Sequence, residues 1–193
     1  MADGKSSFVY VTYIRTTPEE LWSALTTSEF MKKYWFGMNF ETDWKAGSPW
    51  KLIFPDGRIA DTGEIVELER PRRIALKWRN EFRPELTAEG YARCSIELEP
   101  QDGAVKLTIS HTIERADSKL IEAVSGGWPR ILSNLKSLLE TGQIVLSGER
   151  PRGWRTTRRA IGGRNDDSSY RNSGAVAQGA ASSTGGREGA DPP

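Results

Sequence analysis

The sequence has little of the chemistry that metal sites and disulfides require. Its 193 residues include one cysteine, Cys94, and one histidine, His111. Structural zinc sites and iron–sulfur clusters take several thiolate or imidazole ligands, so we expect no metal site and no resident cofactor. One cysteine also excludes a disulfide within the chain, which fits a reducing compartment.

Long apolar runs and a strong net charge are missing as well. No stretch approaches the roughly 18 apolar residues of a membrane span, and residues 1–5 contain no apolar part of a signal peptide. The 27 basic and 26 acidic side chains leave a formal charge of +1, which gives no net field to attract a polyanion. We therefore expect a cytoplasmic protein that has neither nucleic acid nor membrane as its main partner.

Composition divides the chain near residue 148. Residues 148–193 hold eight arginines, five acidic residues and nine glycines, whereas six of the seven tryptophans precede them. A Gly-, Arg- and Ser-rich segment cannot bury enough apolar surface to fold, so we predict a disordered tail over 148–193. The basic stretch 150–159 around Trp154 is interpreted as part of that tail. The alternative is that it binds a nucleic acid or another polyanion electrostatically.

The chain before the tail opens with a strand and two short helices. Residues 8–15 (FVYVTYIR) are rich in β-branched and aromatic side chains. Thr17 is a good N-cap, Pro18 fits the first helical position, and Glu20 can complete a capping box. A second short helix is predicted from Ser28.

Alternating patterns then predict six more strands and a long helix. The strand-like segments are 38–44, 50–54, 59–68, 73–81, 91–99 and 105–113. Gly63 is a candidate bulge, and 82–90 is a polar connection. Apolar positions at 3.6-residue spacing predict a helix over 117–140, which Pro129 is expected to kink or restart. Period-two alternation indicates antiparallel sheet with one buried face.

This order predicts an α+β domain of the helix-grip type. A curved antiparallel sheet of six to seven strands carries two short helices after its first strand, and a long C-terminal helix covers the sheet. A sheet that curves around a helix in this way often encloses an internal volume.

Several segments resemble a known family. They are 8–14, 17–25 (TPEELWSAL), 34–35, 43–50 (DWKAGSPW), 63–71 (GEIVELERP), 107–111 and 125–142 (SGGWPRILSNLKSLLETG). In order and spacing they are similar to the activator of Hsp90 ATPase homologue 1-like domains, which belong to the START/Bet v 1-like (SRPBCC) superfamily. The resemblance covers a domain at 7–142 and matches only the C-terminal module of the eukaryotic co-chaperone.

The resemblance implies a fold and leaves three functions open. The superfamily includes lipid and hormone carriers, so the favoured function is binding of a small apolar or aromatic molecule in a cavity between sheet and C-terminal helix. The first alternative is an accessory stimulator of an Hsp90-type chaperone ATPase, with a role in the stress response. The second is a cyclase- or hydrolase-type enzyme that uses the same cavity.

Tryptophan placement supplies the candidate site. The predicted cavity-lining residues are Trp35, Trp44, Trp50, Trp78, His111, Trp128 and Leu132. Trp44, Trp50 and Trp78 lie on predicted strands and share the parity of apolar neighbours. Each ring is either a large core filler or a contact for an apolar ligand.

The polar candidates are few. His111 shares the inward parity of its strand and is either a hydrogen-bonded core residue or the polar anchor of the cavity. Asp61 is the one acid whose parity is ambiguous, and no convincing acid–base pair forms, so no catalytic residue is assigned. Cys94 has the parity of a small buried hydrophobe.

Overall fold

The computed structural model describes residues 4–148. The strands are β1 (Ser6–Ile14), β2 (Asn39–Glu41), β3 (Pro49–Ile53), β4 (Ile59–Glu69), β5 (Arg73–Asn80), β6 (Ala92–Gln101) and β7 (Ala104–Ile113). The helices are α1 (Pro18–Thr26), α2 (Ser28–Tyr34), α3 (Pro84–Thr87) and α4 (Lys119–Thr141). The predicted tail lies outside the described residues from position 149 onward.

The strands form one sheet in the order β1-β7-β6-β5-β4-β3-β2, and every neighbouring pair is antiparallel. Helix α4 packs against β1 and β7. The two short helices close one end of the sheet, where α1 contacts β6 and α2 contacts β2. The α+β helix-grip architecture predicted from the sequence is confirmed, with seven strands. Among the described residues, no helix is both long and apolar enough to cross a bilayer.

Helix α1 begins where its sequence predicts. The Thr17 hydroxyl accepts a hydrogen bond from the Glu20 backbone N–H at 3.2 Å, and the Glu20 carboxylate accepts from the Thr17 N–H at 3.5 Å. This reciprocal pair satisfies two N–H donors at the helix start. Pro18 in the first turn has no N–H and therefore needs no acceptor. The capping box is confirmed.

Helix α4 is continuous through Pro129. It starts at the N-cap Ser118, whose hydroxyl accepts from the Ile121 N–H at 3.1 Å, and it ends at Gly142 with a left-handed φ of 77°. Of the two predicted outcomes at Pro129, a kink or a restart, the restart does not occur, because buried side chains before and after it, Trp128 and Leu132, pack in the same core. Packing of one face on the sheet therefore outweighs the backbone hydrogen bond that proline cannot make.

Strand alternation places the core on one face of the sheet. In β7 every second side chain from Val105 to Ile113 is buried, and the intervening ones are half-buried. The outer face of β4 to β6 carries ion pairs, such as Lys77 with Glu64 at 2.9 Å. The buried face and α4 together enclose the hydrophobic core.

Three further local predictions are wrong. The strand predicted at 38–44 ends at Glu41, and Trp44 has a left-handed φ of 51°, which no strand allows. The bulge expected at Gly63 lies between Ile65 and Glu67. The connection 82–90 contains α3, which forms because Leu86 gains burial in a second small core.

Candidate functional site

The candidate site is a group of rings on the buried face of the sheet, here called the aromatic cluster: Trp35, Phe40, Trp50, Trp78, Trp128 and the His111 imidazole. They come from six different elements or their ends, since Trp35 caps α2, Phe40 is on β2, and the others lie on β3, β5, α4 and β7. The exposed fraction of each of these side chains is at most 7%. The fold thus collects rings that are distant in sequence.

Trp78 is the centre of the cluster. Its ring centroid lies 4.6 Å from that of Trp50, 6.2 Å from that of Trp128 and 5.5 Å from that of His111. The Trp35 ring is nearly parallel to Trp78, with centroids 6.5 Å apart and planes at 14°. Such separations are those of interacting aromatic pairs.

The remaining predicted residues lie at the margin of this group. Trp44 is half-buried in the turn after β2, where its ring centroid lies 5.9 Å from that of Phe40. Leu132 of α4 is buried in the same core. Sequence reasoning missed Phe40, which contacts Trp35, Trp50 and Trp78, although the alternation around β2 carried that signal.

Gly63 makes the position of Trp50 possible. The Trp50 indole N–H donates to the Lys77 carbonyl at 3.1 Å. A Cβ on Gly63 would lie 1.8 Å from that carbonyl oxygen and 2.7 Å from the indole nitrogen. The glycine therefore serves close approach of β4, β5 and the Trp50 ring, since any side chain would displace them.

His111 is held by one hydrogen bond. Its Nε2 accepts from the Trp128 indole N–H at 2.8 Å, and its Nδ1 is a buried atom without a partner among the described residues. Burial lowers the pKa of His111 to about 3, because the charged imidazolium would lose its hydration. The ring is therefore neutral at physiological pH.

Asp61 is the second buried polar group at the cluster. It is 7% exposed and accepts a hydrogen bond from the Asn80 amide at 2.9 Å, and Asn80 in turn accepts from the Arg83 N–H at 3.0 Å. Burial raises the pKa of Asp61 to about 7, and hydrogen bonds from Asn80 and Trp78 oppose that rise. The side chain of Asp61, whose direction the sequence leaves ambiguous, therefore points to the buried face of the sheet.

Asp61 and His111 occupy different rows of the sheet. Asp61 pairs with Asn80 of β5, which is two residues after Trp78. His111 pairs with Cys94 of β6, and Cys94 in turn pairs with Leu76, which is two residues before Trp78. Trp78 therefore separates the only acid and the only imidazole that reach the cluster from the described residues. This arrangement does not form the hydrogen-bonded pair that general acid–base chemistry uses.

Cys94 lies beside the site and takes the role predicted for it. The thiol is fully buried, and burial raises its pKa, which disfavours the reactive thiolate. Within residues 4–148, no group of three or more His, Cys, Asp or Glu side chains could hold a metal ion.

A recess on the opposite face of the sheet is a weaker candidate. It is open to solvent, has a volume of about 600 Å³ and is lined by Glu64, Lys77, Tyr91 and Arg93 among others. Lys77 and Glu64 are ion-paired, and the neighbouring Arg79 guanidinium lies over the Tyr91 ring at 5.3 Å. Because these charges already have partners, the recess offers a ligand little beyond a shallow surface.

The family follows from comparison with known proteins. The family model described as activator of Hsp90 ATPase homolog 1-like protein matches residues 15–140, more than half of the chain. The chain belongs to this family. No curated protein is a significant sequence match.

Solved structures of similar fold come from several organisms. A protein of Cytophaga hutchinsonii is 25% identical, with 72% of this chain and 97% of that one covered and a TM-score of 0.58. An HSP90 activator from Plasmodium falciparum is 23% identical over 69% of this chain and 96% of its own, with a TM-score of 0.57. The Aha1 dimer from Colwellia psychrerythraea is 19% identical over 71% and 98%, with a TM-score of 0.58.

Proposed function

We propose that this family member binds a small apolar or aromatic molecule against the aromatic cluster, between the sheet and α4. The observation that carries the proposal is the convergence of five aromatic side chains from separate elements, two of which, Trp78 and Trp128, contact one neutral imidazole. Aromatic walls with a few polar groups are typical of sites for small ligands. Such a carrier is expected to act in the cytoplasm.

A ligand can enter only if one ring moves, because the cluster is shielded from solvent. Trp35 is best placed to move. It caps a helix of seven residues whose N-cap, Thr27, makes no side-chain capping bond, and it precedes Phe36 with a left-handed φ of 52°. A non-glycine residue in that region stores about 1–3 kcal/mol of strain, which favours rearrangement of this segment.

Intrinsic fluorescence tests the proposal. The variant Trp154→Phe removes the emission of the one tryptophan outside residues 4–148, so the remaining signal reports the domain. Titration with a library of fatty acids, sterols and polycyclic aromatics should give saturable quenching, and native mass spectrometry should retain the bound compound. An unchanged spectrum and an unliganded mass for every compound would remove this function.

The second candidate is an accessory role for an Hsp90-type chaperone. Family membership and the fold shared with an HSP90 activator favour it. The test is the ATPase rate of a purified Hsp90-type chaperone with increasing amounts of this protein. Stimulation that saturates supports the role, and an unchanged rate at saturating protein refutes it.

A further inference from the structure

The hydrogen bond between Trp128 and His111 fixes where the imidazole proton resides. An indole nitrogen can only donate, so at 2.8 Å it must meet an imidazole nitrogen that carries a lone pair. That nitrogen is Nε2. A neutral imidazole holds one proton, which must therefore be on Nδ1.

This Nδ1–H is a buried donor that the protein leaves unused. Among the described residues, two other buried side-chain polar atoms lack a hydrogen bond, Arg73 Nε and Thr108 Oγ1, and both lie on the outer face of the sheet. Arg73 Nε has carboxylates at 3.6 Å, and a hydroxyl can rotate, whereas an imidazole N–H is fixed by its ring. Leaving a donor buried and unpaired costs about 1–3 kcal/mol, so proteins rarely keep one without use.

The neighbouring indoles cannot relieve His111. An indole N–H donates and cannot accept the Nδ1–H. Two of the neighbouring indoles are also already in use, since Trp50 donates to the Lys77 carbonyl and Trp128 donates to His111 itself. The cluster is thus rich in donors and poor in acceptors. A buried water would need two to four polar partners, and the rings around His111 offer it little besides the imidazole.

We propose that the molecule bound by the aromatic cluster carries a neutral hydrogen-bond acceptor, a ring carbonyl or quinone oxygen, which receives the His111 Nδ1–H. This inference rests on the proposed function and narrows it to aromatic carbonyl compounds. A carboxylate ligand fits poorly, because the neutral imidazole supplies no countercharge and Asp61 adds negative charge above its pKa.

A matched pair of probes tests the acceptor. Fluorene and 9-fluorenone share one tricyclic skeleton and differ by the carbonyl oxygen. Isothermal titration calorimetry should show fluorenone binding about tenfold more tightly, the effect of one net hydrogen bond. Equal affinities would overturn the inference and leave the proposed function standing. Binding of neither probe would overturn the inference, and the library titration would decide the proposed function separately.

Nitrogen NMR provides a readout that needs no variant. The chain has one histidine, so the imidazole signals of the ¹⁵N-labelled protein are unambiguous. We expect the Nδ1–H tautomer in the free protein, and a downfield shift of that proton with fluorenone and not with fluorene. An Nε2–H tautomer, or the same response to both probes, would contradict the inference.

The variant Trp128→Phe removes the donor that fixes the tautomer. It should populate the Nε2–H form and reduce the fluorenone preference several-fold, because Nδ1 no longer carries the proton in every molecule. Trp22→Phe is the matched control, since Trp22 is a buried tryptophan of α1 outside the cluster. Loss of the preference in the control as well would assign the effect to packing and refute the role of the Trp128 bond.

Discussion

The two polar ends of the aromatic cluster differ although the same physical cause acts on both. Burial raises the pKa of Asp61 to about 7 and lowers that of His111 to about 3. Each group is therefore pushed toward its neutral form, since a charge loses its hydration when it is buried. Burial is the shared cause of both pKa shifts, but the two groups differ in how many of their hydrogen bonds are made within the protein.

Asp61 is supplied with donors from the protein, whereas His111 keeps one donor free. Asn80 and Trp78 serve the carboxyl group, and Asn80 is itself anchored by the Arg83 backbone. His111 has only Trp128, and its second nitrogen meets no partner within residues 4–148. The Asp61 end has its hydrogen bonds satisfied within the protein and has a structural role. The His111 end keeps a free donor that a ligand can use.

The largest expected effect comes from removing the ring between the two ends. Trp78→Ala should lower the free energy of unfolding by about 3–5 kcal/mol, because Trp78 contacts both ends and leaves a large cavity. Trp44→Ala is the control, and it should cost about 1 kcal/mol, since Trp44 is half-buried at the margin. Urea denaturation followed by circular dichroism measures both. Equal losses would show that Trp78 is not central.

The elements predicted from the sequence are those that local rules determine. The capping box at Thr17, the alternation of β7 and the apolar stripe of α4 each depend on residues that are near in sequence. Their physical basis is satisfaction of helix-end donors and burial of one face, which any partner surface would require. The fold class follows from their order.

What could not be predicted depends on tertiary contacts. The inward position of Asp61 needs Asn80, 19 positions away, and the tautomer of His111 needs Trp128, 17 positions away, on α4. The role of Gly63 emerges only when the Trp50 indole reaches the Lys77 carbonyl. Trp44 follows an alternating pattern, yet the turn before β3, where the Thr42 hydroxyl donates to the Pro49 carbonyl, takes it out of the strand.

The second effect isolates the Asp61 end through pH. In the unfolded chain the carboxyl loses its proton above 3.8, but in the native state it keeps it to about 7. The native state binds more protons in this window, so Asp61 lowers stability as pH rises. Relative to the wild type, Asp61→Asn should gain about 1 kcal/mol of stability per pH unit between 4 and 7. Denaturation at several pH values measures it, and a constant difference would contradict the buried pKa.

The third effect has the opposite sign and belongs to the His111 end. The unfolded imidazole takes a proton below 6.5, whereas the native one resists protonation to about 3, so stability is lost as pH falls. His111→Gln keeps an acceptor for Trp128 and removes the titration. Relative to the wild type, it should gain about 1 kcal/mol per pH unit from 6.5 down to 4. In the wild type this slope and that of Asp61 oppose each other between pH 3.8 and 6.5, so each is seen only in the difference between variant and wild type. A difference that stays the same at every pH would refute this account.

The smallest effect tests whether burial or charge repulsion dominates at Asp61. The Glu81 carboxylate, which accepts hydrogen bonds from Arg79 at 2.9 and 3.0 Å, also raises the pKa of Asp61, but it is the weakest of the four causes. Glu81→Gln keeps an oxygen acceptor and removes the charge. The pKa of Asp61, followed by ¹³C NMR of the carboxyl group, should fall by less than about one unit. Glu85→Gln, which is exposed and paired with Arg83, is the control and should leave that pKa unchanged. A fall toward the ordinary value of 3.8 in Glu81→Gln would make repulsion the main cause, and the two ends of the cluster would then no longer share one origin.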